Sequence, residues 1–460
     1  MSIKLEKNAG LNKAQLKGSR IAVLGAARSG VAVSKLLVKA GASVLLSDVK
    51  SASQLALDLK SLQQEGIEIE TGRHSEAVLD SALICISPGL PLTIPILQQA
   101  QQKGIPITGE IEIASWFCQA PVLAITGSNG KTTTTTLAGE IFKRIEPSTV
   151  VAGNIGNPFS ESMLHKNQPA YVILEISSFQ LETICSFHPR IAVLMNLTAN
   201  HLDRYPDFNA YAQAKLNILL NMSADDLLIY NRDDSYLSEN LKSSKLRKLV
   251  FSQQPHSLEG AFWENDRIVI QLGKKQQTIQ LKKYQLRGPH NHYNMMVAAL
   301  LACLQHIPAE VIAREIAAFS GIEHRLELVR EINRISFYND SKATTVDSLS
   351  FALQSFPGNI ILIAGGKDKG GDFSEVNQLL KKRVKVTILI GQASERMSEA
   401  WTKVVPVLRA RTLPEAVGTA YKQACPGDIV LLSPACSSFD MFRDYEDRGE
   451  QFKKIVAGLR

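Results

Sequence analysis

A run of apolar residues leads directly into a short glycine loop, a lysine and several threonines in the segment AITGSNGKTTTTTLAGEIF, residues 124–142. The common phosphate-binding loop reads G-x-x-x-x-G-K-[ST]: glycines let backbone N–H groups surround phosphate, the lysine neutralises charge and the hydroxyl binds Mg²⁺. Here Ile125 replaces the first glycine, and the loop is shortened to Gly127-x-x-Gly130-Lys131-Thr132. A strand before it and a helix after it would still direct backbone donors and Lys131 at one anion. The segment therefore predicts a nucleotide-phosphate site in an α/β domain.

The threonine run at residues 132–136 needs a physical reason, because five successive β-branched residues form a helix poorly. Thr132 has such a reason as an Mg²⁺ ligand. The remaining threonines are expected on the core-facing side of the helix.

Composition indicates a globular protein of several domains. Of 460 residues, 45% are hydrophobic and 21% are charged, which allows about two to four domains. The net charge is +7, and basic clusters such as KKRVK at 381–385 lack aromatic neighbours, so no nucleic-acid partner is expected. Six cysteines are scattered without a C-x-x-C pair, and no stretch resembles a signal peptide or a membrane span. We expect a cytoplasmic protein without membrane insertion.

The first third of the chain alternates β-rich runs with helical stretches, which predicts a parallel sheet flanked by helices. GAARSG at 25–30 follows a strand and opens a helix, and Asp48 ends the next strand. However, Ala27 replaces the middle glycine that lets the backbone approach a pyrophosphate. A nicotinamide-dependent dehydrogenase, a nucleotide-sugar pocket and a plain tight turn all stay open for this segment.

Two further α/β units follow. Apolar strands recur at 170–178, 190–198 and 226–231, and the region around 235–285 suggests small antiparallel strands. The fold class is therefore predicted as α/β with three domains. These are a Rossmann-like domain at 1–109, a P-loop ATPase-like domain with a small appended antiparallel sheet at 110–321, and a second Rossmann-like domain at 322–460.

Two side chains follow strands that neighbour the glycine loop. Glu175 ends the strand YVILE and His201 follows IAVLMNLT, so both can reach the edge of the sheet where metal ligands of a triphosphate enzyme lie. Taken alone, Glu175 is better explained as a helix N-cap carboxylate and His201 as an ordinary loop histidine. Together with the loop they favour a metal-dependent nucleotide site.

Several motifs in the same order resemble those of the Mur ligases, and the resemblance extends from about residue 20 to the C-terminus. The later motifs point to the family member that adds D-glutamate. The motifs are TGSNGKTT, EISSFQLE, NLTANHLDRY followed by AQAKLNI, GPHNHYN, EHRLE, YNDSKATT and LLSPACSSFDMF.

The resemblance implies roles for residues of the central domain and the region after it. Those for ATP are Gly127, Ser128, Asn129, Gly130, Lys131, Thr132, Thr133, Asn154 near the γ-phosphate, Asn291 and Asn294 at the adenine, Arg325 at the phosphates and Asp340 at the ribose. Those for two Mg²⁺ ions are Thr132, Glu175, His201 and Lys215, the last as the carbamylated N6-carboxylysine of the family. The ordinary alternative for Lys215 is a surface lysine.

The resemblance also implies two substrate sites. The uridine-nucleotide positions are Arg28, Ser29, Asp48, Val49 and Lys50, with Ser87 and Gly89 for the diphosphate. The D-glutamate positions are Lys342, Thr344, Lys369, Ser438 and Tyr445. Assigning Lys369 rather than Lys367 is a choice of alignment, and Asn200 and Tyr445 stand where relatives carry Asp and Phe.

The implied activity is that of an ATP-dependent amide ligase of peptidoglycan precursor synthesis. The carboxylate of UDP-N-acetylmuramoyl-L-alanine would be phosphorylated and the resulting acyl phosphate captured by D-glutamate, with Lys131, His201, Lys215 and Lys342 as catalytic residues. A monomer with small-molecule partners only is expected. A folylpolyglutamate synthase and a nucleotide-binding regulator remain as alternatives.

Overall fold

The computed structural model describes residues 12–55, 57–201, 204–282, 284–286, 288–368 and 370–459. The chain forms two compact units, the first of Met1–Gln280 with Met295–Ala313 and the second of Leu281–Asn294 with Arg314–Arg460. No helix among the described residues is both long and apolar enough to cross a membrane.

The first unit opens with a parallel sheet of five strands in the described part of the chain, in the order β3-β2-β1-β4-β5. Strands such as RIAVL are apolar on both faces and buried, as expected for a parallel sheet covered by helices. The strands are β1 (Arg20–Leu24), β2 (Ser43–Asp48), β3 (Ile67–Thr71), β4 (Leu83–Ile86) and β5 (Ile107–Gly109). The helices are α1 (Arg28–Lys39), α2 (Leu59–Gln64), α3 (Pro95–Gln102) and α4 (Glu110–Ser115), with 3₁₀ turns at Lys13–Gln15 and Glu76–Asp80.

A second sheet of the first unit contains nine described strands in the order β14-β13-β12-β11-β10-β9-β6-β8-β7. Its strands are β6 (Val122–Thr126), β7 (Val150–Gly153), β8 (Val172–Glu175), β9 (Ile191–Leu194), β10 (Leu227–Asn231), β11 (Arg247–Ser252), β12 (Gly260–Glu264), β13 (Arg267–Leu272) and β14 (Lys275–Gln280). Its helices are α5 (Lys131–Lys143), α6 (Phe159–Ser162), α7 (Ser178–Leu181), α8 (Phe208–Leu216) and α9 (Ser235–Asn240), with a 3₁₀ turn at Asn217–Leu219. Helices α10 (Pro289–Leu304) and α11 (Ala309–Ala318) are divided between the two units.

The antiparallel strands expected in the region 235–285 are present. β12 pairs with β13 and β13 with β14 in antiparallel register, while β12 joins β11 in parallel. The small antiparallel sheet therefore continues the edge of the central sheet.

The second unit holds a mixed sheet whose described strands run in the order β15-β16-β20-β17-β18-β19, with only the β15–β16 pair antiparallel. Its strands are β15 (Glu327–Ile332), β16 (Ile335–Asn339), β17 (Ile360–Gly365), β18 (Val384–Ile390), β19 (Val407–Arg409) and β20 (Ile429–Leu432). Its helices are α12 (Val346–Gln354), α13 (Asn377–Arg383), α14 (Ser394–Trp401), α15 (Leu413–Gln423) and α16 (Tyr445–Ala457), with a 3₁₀ turn at Phe373–Val376.

In each sheet the parallel strands place their carboxyl ends on the same side of the sheet. The apolar strands and the helices packed on them form the buried cores on either face, and each fully buried aliphatic side chain contributes about 1.5–3 kcal/mol of hydrophobic stabilisation. Polar residues that follow the strands are thereby held on rigid supports at this edge, where ligands bind in open α/β sheets.

Candidate active site

The shortened glycine loop lies between β6, which ends at Thr126, and α5, which begins at Lys131. Gly130 is the N-cap of α5 with φ 84°, and Gly127 has φ 151°. A Cβ on Gly127 would lie 2.8 Å from the Cβ of Met195. Both glycines are therefore required by backbone conformation or close packing, and the loop keeps the strand–loop–helix geometry predicted from the sequence.

Asn196, which follows β9, makes several hydrogen bonds to the glycine loop. Its carbonyl accepts from the N–H of Ser128 at 2.8 Å, its Oδ1 accepts from the N–H of Asn129 at 2.8 Å, and its Nδ2 donates to the carbonyl of Asn129 at 3.1 Å. Ser128 Oγ also donates to the carbonyl of Thr198 at 3.0 Å. Asn196 is not among the residues predicted from the sequence, where the only signal is a polar residue two positions beyond a strand that neighbours the loop.

The lysine and the threonines occupy different surroundings. Lys131 Nζ donates to the carbonyls of Gly127 and Ser128 at 2.9 and 3.0 Å, so the ammonium lies over the loop. Thr132 is half-buried, whereas Thr133, Thr134 and Thr135 are buried. The expectation that the later threonines face the core therefore holds for these three.

Glu175 is 1% exposed at the end of β8. Its Oε1 accepts from Nδ2 of Asn154 at 2.8 Å, while its Oε2 is buried without a hydrogen-bond partner among the described residues. The N-cap of the next helix is Ser177, which forms a capping box with Gln180, so the interpretation of Glu175 as a helix cap is wrong. An unpaired buried carboxylate oxygen is costly unless a cation or donor meets it.

Lys215, on α8, is 2% exposed, so the alternative of a surface lysine is wrong. Burial, and then the positive charge of Lys131, lower the pKa of Lys215 well below its ordinary value, and the negative charge of Glu175 opposes this shift. Its Nζ lies 4.9 Å from the centroid of the Tyr211 ring. The structure thus places a buried amine in the electrostatic field of the loop lysine and the strand-end glutamate.

His201 is an exposed loop residue with φ 55°. Its ring packs edge-on against Phe179 with the centroids 4.8 Å apart. The side chain of Asn200 accepts from the N–H of His201 at 2.9 Å. Asn200, which stands where relatives carry Asp, therefore contacts the backbone of His201.

The predicted uridine-nucleotide residues lie together at the carboxyl ends of β1, β2 and β4. Asp48 accepts from the N–H groups of Ala26 and Lys50 at 2.7 and 2.8 Å, and Ser87 Oγ donates to the carbonyl of Gly25 at 3.1 Å. A Cβ on Gly30 would lie 1.9 Å from the oxygen of Gly25. The tight strand-to-helix turn of a dinucleotide fingerprint thus survives the loss of its middle glycine.

The other residues predicted at this site surround the same turn. Arg28 and Ser29 begin α1, and the Arg28 guanidinium donates to Oδ1 of Asn157 at 3.1 Å. Val49 is 59% exposed beside Asp48, and Gly89 is exposed two residues after Ser87.

In the second unit, Asp340 is buried at the end of β16. It accepts from Ser433 Oγ at 2.8 Å and from the N–H of Leu326 at 3.2 Å. Burial raises the pKa of Asp340 to about 7, against the opposing charge of Arg325. The structure brings these two predicted nucleotide residues together.

Asn291 and Asn294 form a second predicted pair in this unit. Both are buried, and Asn294 Nδ2 donates to Asn291 Oδ1 at 2.8 Å across one turn of α10.

The predicted D-glutamate residues surround the carboxyl ends of β16 and β20. Lys342 Nζ lies 3.6 Å from the centroid of the Tyr445 ring, Ser438 is buried and Thr344 is half-buried. The Tyr445 hydroxyl donates to Glu446 at 2.8 Å and its carbonyl accepts from Ser341 Oγ at 2.8 Å. Lys369 lies outside the described residues.

Arg448 supports these loops and was missed in the sequence. It is fully buried on α16, its Nε and one terminal nitrogen donate to Oγ and the carbonyl of Ser341 at 2.9 and 2.8 Å, and its terminal nitrogens donate to the carbonyl of Cys436 at 3.3 Å. Burial lowers the pKa of Arg448 to about 10. The one guanidinium therefore joins the loop of Lys342 to the loop of Ser438.

Glu323, His324 and Glu450 lie close enough together to suggest a metal site in the second unit. Lys453 Nζ, however, lies 3.0 Å from the Glu323 carboxylate and 2.8 Å from that of Glu450. The ammonium supplies the positive charge that these carboxylates need, so the cluster is explained by an internal ion pair.

A glycine loop between a parallel strand and a helix, a lysine over that loop and a buried carboxylate with an unpaired oxygen define a nucleotide-binding protein of the P-loop class. Family models match three parts of the chain: the Mur ligase MurD-like N-terminal domain at 19–109, the Mur ligase middle domain at 125–302, and the Mur ligase glutamate ligase domain at 324–436. The chain belongs to the Mur ligase family.

Curated relatives agree with these matches. A UDP-N-acetylmuramoylalanine–D-glutamate ligase of Geotalea daltonii is 43% identical over 97% of this chain and 98% of that protein. A ligase of the same name from Chloroherpeton thalassium is 42% identical over 97% and 99%.

Solved structures share the fold. The MurF ligase from Thermotoga maritima, in complex with ADP, has a TM-score of 0.61 and 15% identity over 97% of each chain. The predicted α/β fold of three Mur ligase domains and the predicted family are confirmed. The domain boundaries and the role of each site residue remain predictions.

Proposed function

We propose that this chain is an ATP-dependent amide ligase that joins D-glutamate to UDP-N-acetylmuramoyl-L-alanine during peptidoglycan precursor synthesis. The relatives that carry this activity in their names match 97% of the chain at above 40% identity. The observation that carries the chemistry is the group of Lys131, Glu175 and Lys215 around one glycine loop. Family membership and the N-terminal domain favour this function over a dehydrogenase, a folylpolyglutamate synthase or a regulator.

The reaction joins a carboxylate to an amine. A carboxylate is a poor acylating group because it is negatively charged and has no good leaving group, and phosphorylation supplies one. The carboxylate of the L-alanine attacks the γ-phosphorus of ATP, the bond to the β–γ bridging oxygen breaks, and ADP leaves. The amine of D-glutamate then attacks the acyl carbon, inorganic phosphate leaves with the bonding electron pair, and the amine loses a proton. Most of the catalysis in such phosphoryl transfer is positioning and charge neutralisation.

For ATP, we assign phosphate binding to the loop from Gly127 to Thr133. The N–H groups of this loop lie at the N-terminus of α5, where the helix dipole favours an anion. Because Lys131 already lies over the loop, its ammonium can neutralise developing negative charge without a large rearrangement. Asn154, Asn291, Asn294, Arg325 and Asp340 complete the proposed ATP-binding set.

Magnesium fits the residues near the loop. The unpaired Oε2 of Glu175 is a buried acceptor without a donor among the described residues, and oxygen is the ligand atom that Mg²⁺ prefers. We propose Thr132 and Glu175 for one ion, and His201 with Lys215 for a second. When bound, Mg²⁺ supplies positive charge that offsets the charge of the phosphates.

Lys215 can serve a cation only after its chemistry changes, because an ammonium repels Mg²⁺. Its lowered pKa favours the neutral amine. A neutral amine attacks CO₂, forms an N–C bond and releases a proton, which leaves a carbamate with a negative charge. We therefore propose N6-carboxylysine at this position. Isotope-labelled bicarbonate should give a carbamate carbonyl signal by NMR that is absent in Lys215→Met.

We assign the two other substrates to the residue sets that the sequence predicts. Arg28, Ser29, Asp48, Val49, Lys50, Ser87 and Gly89 form the proposed UDP-sugar set. Lys342, Thr344, Lys369, Ser438 and Tyr445 form the proposed D-glutamate set, in which lysine and hydroxyl donors suit an amino acid with two carboxylates. Lys131, His201, Lys215 and Lys342 are the proposed catalytic residues.

We further propose that the chain acts as a cytoplasmic monomer on small molecules, without nucleic-acid or membrane partners. ATP as a substrate and six cysteines that are all free in the described part of the chain fit a reducing compartment. The proposed domains are residues 1–109, 110–321 and 322–460.

The proposed function is tested by phosphate release from ATP and Mg²⁺ in the presence of UDP-N-acetylmuramoyl-L-alanine, with D-glutamate, L-glutamate or L-lysine as acceptor. Release that needs both the UDP-sugar and D-glutamate is the expected result. Equal phosphate release with L-lysine would contradict D-glutamate as the acceptor. Phosphate release without any UDP-sugar would contradict the ligase reaction.

A further inference from the structure

We propose that Arg204 is a positioning residue that joins the UDP-sugar loop to the segment carrying His201, an inference that rests on the proposed function. The UDP-sugar loop is the turn from Ser87 to Leu90, which follows β4. Arg204 comes three residues after His201, beyond β9. Both segments belong to the first compact unit, where the structure records the contacts between them.

The guanidinium of Arg204 holds two carbonyls of the UDP-sugar loop. One terminal nitrogen donates to the carbonyl of Pro88 at 3.2 Å, and the other donates to the carbonyl of Leu90 at 3.2 Å. The turn itself is closed by the N–H of Leu90, which donates to the carbonyl of Ser87 at 3.0 Å. Gly89, one of the proposed diphosphate residues, thus lies between the two carbonyls that Arg204 binds.

These contacts matter for an anionic ligand. A carbonyl oxygen carries partial negative charge, so a carbonyl that points toward a phosphate repels the phosphate. Because the guanidinium donates hydrogen bonds to the carbonyls of Pro88 and Leu90, its positive charge offsets their partial negative charge. The turn can then present the Gly89 N–H to a diphosphate.

The other side of Arg204 is fixed to the central domain. Its terminal nitrogen donates to Glu182 Oε2 at 3.1 Å, and its Cζ lies 4.1 Å from the centroid of the Phe179 ring. The same ring packs against His201, and the N–H of Arg204 donates to the carbonyl of His201 at 2.9 Å. Arg204 therefore touches both the support of the proposed metal histidine and the UDP-sugar loop.

The surroundings leave Arg204 little freedom. The side chains of Arg204 and Glu182 are 18% and 17% exposed, so water screens their ion pair less than it screens a surface pair. The enclosed cavity lined by Arg204, Pro88 and Glu110 measures only about 10 Å³. A shift of the turn would therefore have to break several contacts of one planar guanidinium.

Lysine cannot replace this arrangement, because an ammonium is a compact charge without the planar fork that spans two carbonyls and a carboxylate. We expect Arg204→Lys to raise the KM and the dissociation constant for UDP-N-acetylmuramoyl-L-alanine about tenfold, which corresponds to losing one charged hydrogen bond. The KM for ATP should change by less than about twofold, because the contacts of Arg204 avoid the glycine loop.

The experiment compares full-length wild type, Arg204→Lys, Arg204→Ala and the matched control Arg190→Lys. Arg190 also pairs with a carboxylate, that of Asp226, but it precedes β9 at the other edge of the sheet. Calorimetry measures binding of the UDP-sugar without ATP, and fluorescence of an ATP analogue measures its binding at the glycine loop. Steady-state assays separate effects on KM from effects on kcat. Methylguanidinium should partly restore UDP-sugar binding to Arg204→Ala, whereas methylammonium should not.

Arg204→Lys with wild-type affinity for the UDP-sugar would overturn the proposal. Equal losses of ATP-analogue and UDP-sugar binding would also overturn it, since they would indicate general damage. Failure of wild-type protein to bind the UDP-sugar would instead contradict the proposed function, so the two failures are distinguishable.

Discussion

Replacing Lys215 tests whether a buried amine has been converted to a metal ligand. The side chain is 2% exposed, and burial together with the charge of Lys131 disfavours the protonated form. Lys215→Ala removes the proposed carbamate and leaves room for a small acid, while Lys215→Met fills the space with an apolar chain. Loss of one preorganised charged group from such a site typically costs about 10²–10³ in kcat, and we expect both variants to lose activity on this scale.

The two variants should then differ. Acetate, propionate or butyrate should restore activity at least about tenfold in Lys215→Ala, because a free carboxylate can take the place of the carbamate. Lys215→Met should not respond, since its side chain occupies that space. Both should bind an ATP analogue, and exposed Lys143→Ala is the matched control that retains activity. Activity near the wild-type level in either variant, or no rescue of Lys215→Ala by any acid, would refute the carbamate reasoning.

Three further perturbations have defined outcomes. Burial raises the pKa of Glu110 from 4.5 to about 7, so the folded state binds more protons than the unfolded state between these values, and stability is lost as pH rises. Relative to Glu110→Gln, the unfolding free energy of wild type should fall by about 3 kcal/mol between pH 4.5 and pH 7. A difference in urea midpoint between the two proteins that stays constant over this range would contradict the raised pKa. Gly127→Ala, whose Cβ would lie 2.8 Å from that of Met195, should weaken ATP-analogue binding at least about tenfold, and unchanged binding would show that the loop tolerates a side chain. Arg448→Met should lower the apparent melting temperature and raise the KM for D-glutamate, because the carbonyls of two loops lose a shared donor, whereas an unchanged KM would limit Arg448 to stability.

The fold class and the strand–loop–helix around Lys131 could be predicted from the sequence. Apolar periodicity and a glycine turn are local signals, and they fix β6, α5 and the sheet edge to which Glu175 belongs. The pairing of β11 with β12 was not predictable in the same way, because the joining of antiparallel strands to a parallel edge depends on contacts distant in sequence.

The residues that support the site could not be predicted from the sequence either. Arg448 and Arg204 look like surface cations on polar segments. Only the folded chain shows that Arg448 is fully buried and that Arg204 contacts both the turn after β4 and Glu182. The burial of Lys215 likewise follows from packing of α8, whose sequence lacks a clear apolar stripe. Motifs indicate which residues meet a ligand, whereas the residues that hold those motifs in place have no local signature.

The transfer of oxygen during turnover tests the acyl-phosphate account most directly. The carboxylate of UDP-N-acetylmuramoyl-L-alanine is labelled with a heavy oxygen isotope, and the phosphate released with ATP, Mg²⁺ and D-glutamate is analysed by mass spectrometry. One labelled oxygen should pass from the carboxylate to each phosphate, because the acyl C–O bond breaks when the amine attacks. Phosphate without label, formed at the same rate as the amide, would contradict the proposed mechanism.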